Sequence, residues 1–349
     1  MLDLALRGLA LAAGFYLIIV TLSAAVRSFV MPRNEVVRLN GYVFRSLRVL
    51  FDWATSLHNT FGGRDQVQAH YAPIALVALP IVWLAVVAGG FTLIYWGLDE
   101  GSWLECYQLS GSSLLTLGTH KTRGPIVTGF TFAEATIGLL LLTLLISYLP
   151  TIYQAFSRRE VVVARLELRA GTPPSACTLL RWLNRSGSVH DDAVQWEQWE
   201  AWFVEIEESH TSLPILTFFR SPQPGRSWVT TATLILDTAA LMFSVVKGAR
   251  DPQAELTFKA GCLSVNRVYR FFDEDLRARP TSRLANNDPI EEPGRADFEA
   301  AYDNLRDAGL AMHPDRAEAW QQFQELRKRY ATALEFLGKI TMAPEVKSV

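Results

Sequence analysis

Three stretches of the chain lack the alternation of apolar and polar positions that marks a helix lying on a soluble core. Gly8 to Val26 is a 19-residue run without a charged side chain, and Tyr71 to Leu98 is a 28-residue run of the same kind. Gly124 to Ser157 holds one charged residue, Glu134. About 20 mostly apolar helical residues cross the hydrocarbon of a bilayer, so each stretch predicts a spanning helix. The first exceeds the apolar core of about 7–15 residues in a secretory signal, so a retained helix is expected.

Beyond residue 160 the pattern becomes that of a soluble helical domain. Residues 161–169 continue the third span, and helices are predicted over 175–186, 190–210, 228–247, 254–278, 295–310 and 314–338. Breaks fall at 170–174, at 220–227 and in a polar loop over 280–294. Trp196, Trp199, Trp202 and Phe203 have the spacing of a helix core. Trp228 to Val246 is 19 residues with only Asp237 charged, nearly long enough to span. A mid-helix aspartate costs about 3 kcal/mol in lipid, so a buried bundle helix is expected, with Asp237 paired to an arginine such as Arg220 or a histidine such as His210.

Charge sharpens this division. Residues 1–160 carry 11 Arg and Lys and 9 Asp and Glu; the remaining 189 carry 22 and 26. The chain reads as an all-α membrane protein in three parts. Residues 1–70 give an N-terminal spanning helix and a basic segment, 71–160 a membrane module, and 161–349 an all-α cytoplasmic domain. Arg33, Arg38, Arg45, Arg48, Arg64, Arg158 and Arg159 place 31–70 and everything after 157 inside. The N-terminus and the loop near residue 110 then lie outside, in a multi-pass protein of the inner (plasma) membrane. Segment 35–54 carries Glu35, Arg38, Arg45, Arg48 and Asp52 near one face. Val36, Val37, Val43, Leu47, Leu50 and Trp53 lie near the other, which suits a helix in the headgroup region.

Net charge is −2, which gives no support to nucleic-acid binding. Cys106, Cys177 and Cys262 lie far apart, with no metal-ligand spacing. Glu207, His210 and Asp237 supply no nucleophile–base pair, and no P-loop or G-x-G-x-x-G is present. No enzyme, metal site or cofactor is expected.

The loop between the second and third spans carries the chemistry. It reads GSWLECYQLSGSSLLTLGTHKTRGP over 101–125, with a helix-like half from Trp103 to Leu115 and then Thr116-Leu117-Gly118-Thr119-His120. Non-helical backbone at membrane depth survives only inside protein or beside water. The C-terminal carbonyls of a re-entrant helix and the oxygens of an extended turn can stabilise a cation there.

This arrangement of outer helix, re-entrant pore helix, turn and inner helix resembles the pore-loop cation channel superfamily in its compact potassium-channel form. That family's filter is Thr-x-x-Thr-Val-Gly-Tyr-Gly, and Ser113-Leu114-Leu115-Thr116-Leu117-Gly118-Thr119-His120 lies over it. Thr119 stands in place of the aromatic residue and His120 in place of the second glycine. The resemblance covers roughly residues 70–160. It implies a selectivity filter over Ser113, Thr116, Leu117, Gly118, Thr119 and His120, a passing monovalent cation (potassium), and a homotetramer in the lipid bilayer.

On the inner helix, Glu134 lies roughly 15 Å below the outer edge. A carboxylate facing lipid there costs several kcal/mol, so it should face the protein as a support for the filter. Gly138 lies 20 residues beyond Gly118, near the family's hinge glycine, and Pro150 follows 12 residues later. Both are candidate gate or hinge positions, with ordinary helix packing as the alternative reading of each. The departures at Thr119 and His120 leave a less selective pore, or a non-conducting membrane sensor or scaffold acting through its cytoplasmic domain, as alternatives. The partner of that domain is not legible.

Overall fold

The computed structural model describes residues 2–29, 38–58, 60–171, 173–186, 189, 192–248, 251–278 and 294–344. Helices make up the regular structure among them, with one isolated antiparallel bridge between Val246 and Met312. Four helical stretches, Asp3–Ser28, Gly62–Gly97, Pro125–Ala170 and Trp228–Val245, are long and apolar enough to cross a membrane. Helices of this kind make the chain a membrane protein. The chain divides into two compact units, Met1–Tyr153 and Gln154–Val349.

The first unit contains α1 (Leu2–Phe29), α2 (Arg38–Ser56), α3 (Phe61–Ala69), α4 (Tyr71–Gly97), α5 (Trp103–Leu114) and the first part of α6 (Pro125–Ala170). α1 and α4 pack through glycines. A Cβ on Gly14 would stand 2.5 Å from the carbonyl oxygen of Gly90, and one on Gly97 would stand 2.6 Å from Leu11. Small residues let two apolar helices bring their backbones together where lipid supplies no hydrophobic drive. Trp83, Val87, Phe91 and Ile94 of α4 then form the core with Ile18 of α1, Leu109 of α5 and Leu141 of α6.

α2 turns Val43 and Thr55 inward and leaves Tyr42, Val49, Leu50 and Trp53 exposed. Leu50 and Trp53 lie toward the same side of α2 as Val43 by helical spacing, but the first unit covers only Val43 and leaves them exposed. The short α3 has two glycines in its first turn, which lowers helix propensity and hides it in the sequence. Thr60 caps it, its hydroxyl accepting from the Gly63 N–H at 3.3 Å.

The second unit holds the remainder of α6, then α7 (Ala176–Leu183), α8 (Ala193–Ser212), α9 (Trp228–Val245), α10 (Pro252–Ala278), α11 (Arg295–Asp307), α12 (Arg316–Arg327) and α13 (Ala331–Thr341). α9 is its axis: of its residues, only Thr233 is not buried. Trp196, Trp199, Trp202 and Phe203 of α8 are buried in the same core.

Two expectations need correction. The stretch 314–338 is two helices, α12 and α13, broken over Lys328–Tyr330. Neither glycine nor proline marks the break; the carbonyl of Arg329 is taken instead by the side-chain amide of Asn266 at 2.8 Å. Asp237 does pair with an arginine, but it is Arg327 rather than Arg220, and His210 is not its partner. Its Oδ1 accepts from Arg327 Nε at 2.9 Å and from the Tyr330 hydroxyl at 2.5 Å. Arg220 is held by the carbonyls of Thr341 and Met342, and His210 lies against Arg159. Residues 280–293 of the expected polar loop lie outside the described residues.

Candidate functional site

α5 begins where α4 ends and runs back beside it. Its start is fixed by a capping box: the Ser102 N–H donates to Glu105 Oε2 at 2.7 Å, and the Ser102 hydroxyl accepts from the Glu105 N–H. Trp103, at the start of α5, meets Trp96 near the end of α4, with ring centroids 6.5 Å apart. Two turns on, the Ser110 hydroxyl lies 3.0 Å from the carbonyl oxygen of Ala88. Ala88 is nine residues before Gly97, roughly 14 Å back along α4.

The end of α5 is buried against α6. A Cβ on Gly138 would stand 2.3 Å from the carbonyl oxygen of Leu114, so only glycine admits this approach. Gly138 is 13 residues past Pro125, roughly 20 Å along α6. The chain then returns to its starting side, where the Arg123 N–H donates to Glu100 Oε1 at 2.6 Å. The segment between α4 and α6 is therefore a helix that descends between two long apolar helices and a ten-residue return.

At the mid-point of that descent sits Glu134, fully buried. The Tyr95 hydroxyl donates to its Oε2 at 2.7 Å, and Ser110 Oγ lies 2.5 Å from its Oε1. One carboxyl group thus ties α4, α5 and α6 together. Both its partners are neutral hydroxyls.

The turn leaves α5 through a pair of hydrogen bonds that close its last carbonyls. The Thr116 N–H donates to the Ser113 carbonyl at 3.0 Å and the Leu117 N–H to the Ser112 carbonyl at 2.7 Å. This Schellman end requires a left-handed residue, and it is Thr116, at φ +57°, that supplies it. A β-branched residue is a costly choice there. Gly118 follows, also left-handed at φ +65°. Ser112, which the sequence did not single out, anchors the far side of the turn. Its buried hydroxyl accepts from the Thr119 N–H and lies 2.9 Å from the Thr119 hydroxyl.

Among the described residues, the carbonyl oxygens of Leu115, Thr116, Leu117 and Gly118 accept no hydrogen bond, nor does the Thr116 hydroxyl make one. These five oxygens lie together on an exposed stretch at the C-terminal end of a helix. The Ser113 hydroxyl is not among them, since it bonds back to the Leu109 carbonyl. Thr119 reaches His120 Nδ1 at 3.0 Å, so both side chains are tied to the rim of the turn.

No protein-family model, no curated protein and no solved structure matches this chain.

The remaining sequence candidates are placed as follows. Gly138 serves a close contact with α5. Pro150 lies on an exposed face within α6, which continues as helix to Ala170 although Pro150 cannot donate to the Ile146 carbonyl. Glu207, His210 and Asp237 are not brought together: Glu207 pairs with Arg267, His210 with Arg159, and Asp237 with Arg327. Burial, reinforced by Arg159, holds the His210 imidazole well below its ordinary value. Ser110, Ser112 and Tyr95 are the functional candidates that sequence reasoning missed. The signal in the sequence was a serine cluster, Ser110-Gly111-Ser112-Ser113, in the last turns of α5.

Proposed function

We propose that the chain is one subunit of a membrane pore that passes monovalent cations, potassium first among them. The observation that carries the reading is the end of α5: a short helix inserted beside the middle of α4 and α6, followed by a turn with five oxygens free of hydrogen bonds. A helix C-terminus bears partial negative charge, and free carbonyl and hydroxyl oxygens can take the place of an ion's water.

One turn surrounds nothing. Several copies around a common axis close a ring, and the resemblance of residues 113–120 to a potassium-channel filter sets the number at four. Ions shed water at Thr116, Leu117 and Gly118, and neighbouring ions displace one another. Glu134 holds α5 in place against α4 and α6, and α1, α4 and α6 are the spans. The second unit lies on the side of the arginine-rich segment 31–70, the cytoplasmic side of a plasma membrane. The competing reading is a channel-like sensor that conducts nothing. It draws on His120, which takes a left-handed backbone less readily than the glycine whose place it fills.

Purified chain in liposomes loaded with potassium decides between them. Barium-sensitive potassium efflux is expected, with a potassium-over-sodium preference in the reversal potential. Thr116→Ala removes one coordinating hydroxyl and should lower that preference severalfold. No efflux from a verified oligomer, or a preference unchanged in Thr116→Ala, overturns the proposal.

A further inference from the structure

The second unit holds a cavity of about 260 Å³ between the extension of α6 and α8. Val162, Arg165 and Arg169 line it from α6; Gln195, Trp199 and Glu205 are among those lining it from α8. Residues 158, 162, 165 and 169 recur at helical spacing, so this is one face of α6.

Its charge is unbalanced. Glu205 is already held by Arg158 at 3.0 Å. Asp192 is held by both terminal nitrogens of Arg185, at 2.6 and 3.0 Å. Arg165 and Arg169 have no carboxylate at ion-pair distance and no hydrogen-bond partner among the described residues. Arg169 stacks on Trp182, its guanidinium carbon 4.8 Å from the ring centre, within the field of Arg165 and Arg185 and, opposing them, of Asp192. That stacking orients the guanidinium without neutralising it.

Gln195 is a second, independent observation. It is 7% exposed, it lines the cavity, and its side-chain amide makes no hydrogen bond among the described residues. The residue is mostly covered, but its amide opens onto the same space as the two arginines and is free to meet a ligand there.

We propose that this groove binds a small phosphate-class anion. Arg165 and Arg169 take its oxygens in the paired geometry that guanidinium offers phosphate. The Gln195 amide supplies a neutral donor, and Val162 with the edge of Trp199 receives the apolar part of the ligand. The anion is carried by a soluble phosphate ester or by the headgroup of an anionic lipid. Because α6 also bears Glu134 and Gly138, an anion here would act on the helix that lines the pore; that consequence rests on the pore reading, while the binding does not.

The test uses the full chain in neutral detergent at constant ionic strength. Tryptophan fluorescence is titrated with inorganic phosphate and with phenyl phosphate, and thermal stability is followed in micelles doped with phosphatidylglycerol or, as a control, phosphatidylcholine. Saturable binding is expected for at least one of the three phosphates and not for phosphatidylcholine. A response to the free phosphates identifies a soluble ligand, and one confined to phosphatidylglycerol identifies a headgroup. Arg165→Gln with Arg169→Gln should weaken binding at least tenfold, and Gln195→Leu, which keeps both arginines, about threefold. No saturation by any of the three, or affinity unchanged in folded Gln195→Leu, overturns the proposal. Ion flux is not measured, so a chain that conducts nothing leaves the result intact.

Discussion

The apolar part of α6 and the whole of α9 are both apolar enough to cross a membrane, and each carries a single carboxylate. They are buried very differently. Of its most apolar window, 17% of α6 is buried by its own chain against 94% of α9. Phe132, Leu139, Ile146 and Tyr153 of α6 follow one another at helical spacing, and all are exposed. The two carboxylates have different company as well. Asp237 faces a guanidinium and a phenol, whereas Glu134 faces two neutral hydroxyls. An apolar helix whose own chain covers it belongs to a soluble core. One left bare needs lipid or further copies of the chain. Hydropathy does not separate the two cases; the partner of the carboxylate does.

The largest effect should come from removing the cation in the second unit. Arg327→Ala leaves Asp237, which has no exposed surface, without its counter-ion in an apolar core, where it must either hold its charge unpaired or take up a proton. Breaking such a pair costs about 3–5 kcal/mol. Denaturant unfolding followed by the α8 tryptophans should register that loss, and a loss below about 1 kcal/mol would mean that water reaches Asp237.

The amide replacements distinguish the two carboxylates directly. Glu134→Gln keeps an acceptor for Tyr95 and gains a donor to Ser110, whose own hydrogen then serves the Ala88 carbonyl; it should cost under about 0.5 kcal/mol. Glu134→Ala leaves the Tyr95 hydroxyl buried without an acceptor and should cost about 1–3 kcal/mol. Asp237→Asn sets an amide against Arg327 and should cost more than Glu134→Gln. Thermal unfolding in one detergent ranks the three. Equal costs for the two amide variants would remove the distinction between the sites.

The fold was legible wherever a short window holds the cause. The long apolar helices follow from uncharged runs, and α5 from the helix-like half of the segment between two of them. The inward orientation of Glu134 follows from the cost of exposing it to lipid. What the sequence hid lies between distant positions. Arg327 is 90 residues from Asp237, and nearer cations drew the expectation to Arg220 and His210. The break between α12 and α13 has no local breaker. Ser112 anchors the turn only because the chain folds back on itself seven residues later.

A third effect is confined to the second unit. His210 donates from Nδ1 to the Ile206 carbonyl at 3.0 Å and accepts from Arg159 at Nε2, an arrangement that suits the neutral ring only. The unfolded chain protonates this histidine below about pH 6.5, whereas the folded one resists, its pKa being depressed. The unfolded state then binds more protons, so stability present above that pH is lost as pH falls. This one site contributes a slope of at most about 1.4 kcal/mol per pH unit. Comparing unfolding at pH 7.5 and 5.5 for the native chain and His210→Gln isolates it. An identical pH dependence in both would show that His210 is not the group responsible.

The smallest effect tests whether backbone strain in the first unit has a use. α5 and α13 end in the same Schellman pattern. Met342 donates to the Lys339 carbonyl and Ala343 to the Gly338 carbonyl, as Thr116 and Leu117 do to Ser113 and Ser112. Both left-handed positions hold side chains that resist that conformation, Met342 at φ +48° and Thr116 at φ +57°. α11 ends in the same way on Gly309, at φ +84°, where no such cost arises. Met342→Gly and Thr116→Gly should therefore each stabilise the chain, by up to about 1 kcal/mol. Their consequences should diverge at the membrane. Met342→Gly should leave ion flux and selectivity as they were, whereas Thr116→Gly removes the hydroxyl beside the free carbonyls and should lower the potassium preference. If both substitutions stabilise and neither alters flux, the threonine at the end of α5 is as incidental as the methionine at the end of α13.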